Sequence, residues 1–122
     1  MLAKRYRLTK NGSFSYIYAH GSRVPDKKVK LNYVRSKSGV KIGFSVSNKI
    51  GHAVVRNKVK RRMRAVAADY VMRLAPCQLV FIASPGIDKL SFDEIKAQME
   101  SCFIRSGLVK SSDVKKEKKD QI

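Results

Sequence analysis

Lys49-Ile50-Gly51-His52-Ala53-Val54-Val55-Arg56-Asn57-Lys58-Val59-Lys60-Arg61-Arg62-Met63-Arg64 carries seven Lys/Arg, no acidic residue, and an apolar residue every three or four positions. At roughly 100° per residue on a helix, Val55, Val59, Met63, Val66, Tyr70 and Leu74 fall on one stripe. Arg56, Lys60 and Arg64 fall on another, with Asn57 and Arg61 beside them. One side is fitted to a core while the other presents concentrated positive charge. A basic helix face of this kind serves nucleic-acid phosphates or an anionic membrane surface.

Working outward, the charge is lopsided. Residues 1–68 hold 18 Lys/Arg against the single acid Asp26, a net +17, whereas residues 69–122 hold 9 Lys/Arg against 8 acids. The whole chain of 122 residues carries +18, which points to a polyanionic partner rather than to any particular fold. The length suits one domain, and 43% hydrophobic residues suffice for a core. Cys77 and Cys102 stand in apolar surroundings without metal-ligand spacing, and read as buried free thiols of a reducing cytoplasm. The charged start, Met1 to Arg7, is not followed by an apolar run and is no signal peptide. No stretch approaches the ~18 apolar residues of a membrane span.

Upstream, residues 1–10 read as a basic arm anchored at Leu8. Asn11 to His20 predicts a short helix, capped by Asn11 or Ser13 and stopped by Gly21, with Phe14, Ile17 and Tyr18 on one face and Tyr16 off it. Phe14 and Tyr18 suit a core, and their rings equally suit stacking on unpaired bases. Of the two, their spacing alone favours the core. Ser22 to Pro25 suits an edge strand. Lys28 to Arg35 alternates, with Val29, Leu31 and Tyr33 on one face and Lys30 and Asn32 on the other. Val40 to Ser47 alternates too, and across the turn at Ser36-Lys37-Ser38-Gly39 the two segments are expected to pair as an antiparallel hairpin. The outward face of the second, Lys41, Gly43, Ser45 and Ser47, is small and polar, open to solvent or to a close approach.

Downstream, the basic helix is expected from Gly51 to about Leu74, ahead of Pro76. Gln78 to Ser84 is a continuous apolar run, suited to a strand buried on both faces. Ser91 and Glu94 form a capping box for a third helix with Phe92, Ile95, Met99, Cys102 and Phe103 on its apolar side, ending at Gly107. The tail, 110–122, mixes five Lys with three acids and reads as disordered. Residues 1–109 therefore form a single domain without internal repeats, a small α/β sandwich with a mixed sheet. A parallel crossover through the basic helix would by default be right-handed.

Catalytic patterns are missing: there is no glycine-rich phosphate loop, paired-cysteine zinc motif or HExxH. His20 and His52 have no acidic neighbours in sequence, and residues 27–68 contain no carboxylate to hold a metal. An autonomous protein nuclease is disfavoured, and charge, hydrogen bonding and stacking remain.

The run from Ile42 to Arg61, Ile42-Gly43-Phe44-Ser45-Val46-Ser47-Asn48-Lys49-Ile50-Gly51-His52-Ala53-Val54-Val55-Arg56-Asn57-Lys58-Val59-Lys60-Arg61, resembles the signature of the protein subunit of bacterial ribonuclease P. There, a strand ending near SVSKK leads into GxAVxRNRxKR. The likeness extends to Arg5-Tyr6-Arg7-Leu8-Thr9, to Phe14 with Tyr18-Ala19-His20-Gly21, and to the strand at Leu79–Ala83. One departure is Lys58 as the third residue of the Arg-Asn-Arg triplet, which keeps charge but loses the planar fork of Arg.

The resemblance implies an α+β fold of order αβββαβα, with a four-stranded mixed sheet, three helices and a left-handed βαβ crossover, like domain 2 of ribosomal protein S5. It also implies a cytoplasmic ribonucleoprotein that removes the 5′ leader from precursor tRNA, in which a large RNA performs catalysis with Mg²⁺ and the protein assists. Carried over, Lys49, Arg56, Asn57, Lys58, Lys60, Arg61 and Arg64 would meet the catalytic RNA, and Phe14, Tyr18 and Tyr33 would line a cleft for the single-stranded leader. No protein residue is implied as catalytic or as a metal ligand, and neither a membrane nor a dedicated protein partner is expected. From the residues alone, a structural RNA binder such as a ribosomal or assembly protein stands as the alternative. A membrane-surface helix comes third, because core packing uses most of its large apolar residues.

Overall fold

The computed structural model describes residues 6–8, 11–37 and 39–109. The tail expected to be disordered, most of the basic arm, and the side chains expected to cap the first helix lie outside them. Along the chain run α1 (Asn11–His20), β1 (Ser22–Pro25), β2 (Val29–Arg35), β3 (Lys41–Ser45), α2 (Ala53–Tyr70), β4 (Cys77–Ala83) and α3 (Phe92–Ser106), with a 3-10 turn at Ile87–Lys89. This is the expected α+β order, with three helices and a four-stranded mixed sheet.

The strand partners differ from expectation. The sheet order is β1-β2-β4-β3, so β2 and β3 do not form a hairpin. β4 lies between them, antiparallel to β2 (Leu31 opposite Phe81) and parallel to β3 (Phe44 opposite Phe81). Apolarity decides this. Leu79, Val80 and Phe81 are all fully buried, one from the face opposite the other two, and only a central strand covered on both sides can hide them all. β3, with polar residues on one face, takes the edge position. Its alternation specified a strand but not a neighbour.

Helices α2 and α3 pack on one face of the sheet and α1 on the other. Val59, Met63, Val66 and Ala67 of α2 meet Ile95, Met99 and Phe103 of α3 over Val29, Leu31, Leu79 and Phe81. Phe103 sets its edge against Phe81, ring centroids 5.2 Å apart at 90°, a favoured aromatic geometry. On the opposite face, Ile17 of α1 and Leu8 of the arm cover Val80, with Phe14, Tyr18, Val34 and Ile82 around them. The arm also adds to the free edge of β3: Arg7 bridges in parallel to Ile42, and the Leu8 amide donates to the Ile42 carbonyl at 2.9 Å.

Two helix ends follow the expected chemistry. The Ser91 hydroxyl accepts from the Glu94 amide while the Glu94 carboxylate accepts from the Ser91 amide, completing the capping box, and Gly107 closes α3 at φ 78°. α2 stops at Tyr70, one turn before Leu74. Leu74 is nevertheless buried, so the apolar stripe outlasts the helix.

Candidate RNA-binding surface

The polar side of α2 is built by the same periodicity that seats its other side on the core. Lys49, Asn57, Lys58 and Arg61 are exposed, while Arg56, Lys60 and Arg64 are half-buried along the flank. Asn48, in the approach loop, accepts a hydrogen bond from Arg56 Nη1 at 2.7 Å through its Oδ1. That holds the guanidinium in place, and its Nε is buried without a hydrogen-bond partner, as is Nε of Arg64. Arg62 differs: its Nη1 donates to the Leu90 carbonyl at 3.0 Å, so this side chain ties α2 to the loop before α3. Asp26, the one acid among residues 1–68, is paired with Arg105 of α3 at 2.9 Å. No other carboxylate from residues 1–68 is left to neutralise the cations of α2.

On the opposite sheet face, α1 lays Phe14 and Tyr18, both half-buried, beside Val80, Ile82 and Val34. Tyr33 does not join them. It pairs with Leu79 and packs with the α2–α3 core, and its hydroxyl donates to the Ser106 carbonyl at 3.1 Å. Side chains of a strand alternate between faces, so on β2 it is Asn32, with Val34, that lies on the α1 side. It stands opposite Val80 and is only 6% exposed. The cleft therefore has two aromatic side chains from α1 and an amide in its floor, and Tyr33 is corrected to a core position. The parity of Val29, Leu31 and Tyr33 carried this signal in the sequence.

A pocket of about 210 Å³ joins the two surfaces. Lys60 and Arg64 of α2 line one side, Arg7 of the arm another, and Phe14, Gly43 and Phe44 the rest. The sequence pattern alone puts the cations and Phe14 on separate surfaces. The contact between those surfaces depends on how the arm and α1 fold back over β3, a long-range arrangement without a local pattern. Tyr16, expected off the buried face of α1, is exposed and lies against His20 with ring centroids 4.8 Å apart. His20 and His52 are both exposed. Among the described residues, no three His, Cys, Asp or Glu side chains gather in a way that could hold a metal, and no helix is long and apolar enough to cross a membrane.

A basic helix flank meets an aromatic groove at one cation-lined pocket in a small α+β domain, the pairing of charge with stacking rings that nucleic-acid-binding domains use. Comparison with known proteins makes this particular. The family model described as Ribonuclease P matches residues 2–107. The Ribonuclease P protein component of Bacillus velezensis is 34% identical over 116 residues, covering 93% of this chain and all of the relative. That of Lactococcus lactis is 34% identical over 102 residues, covering 81% and 86%. Among solved structures, a Staphylococcus aureus RNase P protein mutant with defective mRNA degradation activity superimposes with a TM-score of 0.81 at 27% identity, covering 86% of this chain and 91% of that one. The RNase P protein from Thermotoga maritima, at 19% identity and a TM-score of 0.74, shares the fold. The chain belongs to the Ribonuclease P family, as its protein component.

Proposed function

We propose that the chain works as the protein subunit of an endoribonuclease that removes the 5′ leader from precursor tRNA in the cytoplasm. In this reading Lys49, Arg56, Asn57, Lys58, Lys60, Arg61 and Arg64 hold the catalytic RNA, and Phe14 and Tyr18 hold the single-stranded leader. The observation that carries it is the pocket in which Lys60 and Arg64 stand beside Phe14. It makes the helix flank and the aromatic groove one continuous surface, as an adaptor between an RNA and its substrate requires. A purely structural RNA binder has no use for such a groove.

The protein's chemistry is placement. Lys and Arg displace counterions from phosphates, so assembly weakens steeply as salt rises. Stacking on Phe14 and Tyr18 accepts any base at about 1–3 kcal/mol each, and Asn32 adds a hydrogen-bonding amide. Mg²⁺ belongs with the RNA: the α2 flank offers cations, and the described residues offer no carboxylate grouping for a metal. The protein lowers the Mg²⁺ demand by supplying positive charge and by fixing the substrate. The test is reconstitution with ribonuclease P RNA at low Mg²⁺. Rescue of precursor cleavage is the expected result, and cleavage no better than with the RNA alone would reject the proposal.

A further inference from the structure

Gly43 lies inside β3, paired with Val80 of the central strand, and is not among the glycines of the described residues with positive φ. Its backbone does not call for glycine. A glycine within a strand gives up side-chain packing and marks places where something comes close. Here the visitor is Phe14: a Cβ at position 43 would stand 2.7 Å from its Cζ and 2.8 Å from its Cε1. Leu8 Cβ of the arm lies beyond at 3.3 Å. Carbon atoms rest about 3.5–4.0 Å apart, so any larger residue would push the ring back by roughly 1 Å. The same ring borders the pocket lined by Lys60 and Arg64.

We infer that Gly43 is a positioning residue: the bare strand is the seat that sets how deep the Phe14 ring lies and how far it stands from the α2 cations. This rests on the reading of the α1 groove as the leader site, and deepens it. The height of that ring sets how far a base stacked on Phe14 stands from Lys60 and Arg64, and so from the RNA that those cations hold. The small outward face of β3 thus has its purpose in the spacing between stacking and charge.

The experiment is a double-mutant cycle in the holoenzyme reconstituted with ribonuclease P RNA. Gly43→Ala is compared in the native and Phe14→Ala backgrounds, with precursor and mature tRNA as ligands. Alone, Gly43→Ala is expected to raise the precursor KM roughly fivefold, the lower end of the loss of one stacked base, with kcat and mature-tRNA affinity unchanged. With Phe14→Ala, where the added methyl has room, it should change precursor affinity less than about twofold, the non-additivity of residues that act through each other. Equal losses in both backgrounds, or equal losses for precursor and mature tRNA, would overturn the inference. Should Gly43→Ala not fold alone, the double variant decides: affinity within about twofold of Phe14→Ala supports the seat, and a larger loss refutes it. A Phe14→Ala variant that binds precursor normally removes the groove reading and this inference together. One that binds weakly while Gly43→Ala binds normally removes the inference only.

Discussion

Tyr18 and Tyr33 carry the same ring into different settings, and substitution separates them. Tyr18→Ala should weaken precursor-tRNA binding severalfold, the stacking worth of one base, and leave mature tRNA unaffected; equal losses would reject a leader role. Tyr33→Phe should cost about 1 kcal/mol, the worth of its hydrogen bond to Ser106, read by denaturant unfolding, with precursor affinity unchanged. On α2, Arg61→Ala should impair assembly with the RNA and lower the salt slope by about one; an unchanged slope would remove Arg61 from the phosphate contacts. At this scale the sequence was most legible where a residue's task is local. The charged stripe could be read from spacing, and so could the face of Tyr33, since Val29, Leu31 and Tyr33 share a parity. The likeness to a known family nevertheless assigned Tyr33 to the cleft. Asn32 carries no such signal, because a single amide in a strand has no pattern.

Among the elements, α3 was the most readable, because both its ends are written in short-range chemistry. Ser91→Ala should destabilise the protein by about 1 kcal/mol through loss of the cap, measurable by thermal or denaturant unfolding. The hydrogen bonds from Ser91, the backbone one foremost, hold the Glu94 carboxyl below its usual range. Its contribution is present above that range and fades as acid protonates it. Alanine keeps the backbone donor, so Ser91→Ala should lose only the hydroxyl's share of that pH dependence, and a Glu94→Gln variant whose stability follows pH as the native protein's does would uncouple Glu94 from the cap. Strand neighbours were harder to read than strands. Alternation describes how one segment meets a surface, and the expected hairpin between β2 and β3 rests only on their nearness in sequence. The apolar run at β4 held the contrary information, since a strand hidden on both faces needs a partner on each side.

For the molecule as a whole, charge and burial oppose each other. The first 68 residues carry +17, and their mutual repulsion weakens the compact state unless anions gather there. Sulfate, phosphate or RNA should raise the melting temperature; one that does not move would count against a destabilising field. Burial pushes the Cys77 and Cys102 thiols up to about 11. A thiol that stays protonated in the fold but ionises on unfolding draws stability down as pH climbs from about 9 toward 11. The matching check is thiol reactivity: both cysteines should resist alkylation near pH 8 and react once denatured. The lopsided charge was plain in the sequence. The meeting of the basic flank and the aromatic groove was not, because it comes from the arm and α1 folding back across β3.

The place of β4 has a consequence for how the protein comes into being. Among the described residues it is the last strand to be synthesised and the one on which the sheet closes, since there β3 pairs with no other strand. Contacts distant in sequence form slowly, and a nascent chain folds from its N-terminal side as it emerges. Until residues 77–83 are available, β3 has no strand beside it and Gly43 no sheet in which to receive Phe14. The basic helix precedes β4 in the chain, so its cations exist before the core that orients them. A ribosome-bound chain halted ahead of Cys77 should therefore attract RNA by charge alone, without distinguishing precursor from mature tRNA. If the proposed function holds, discrimination is expected only once β4 is in place.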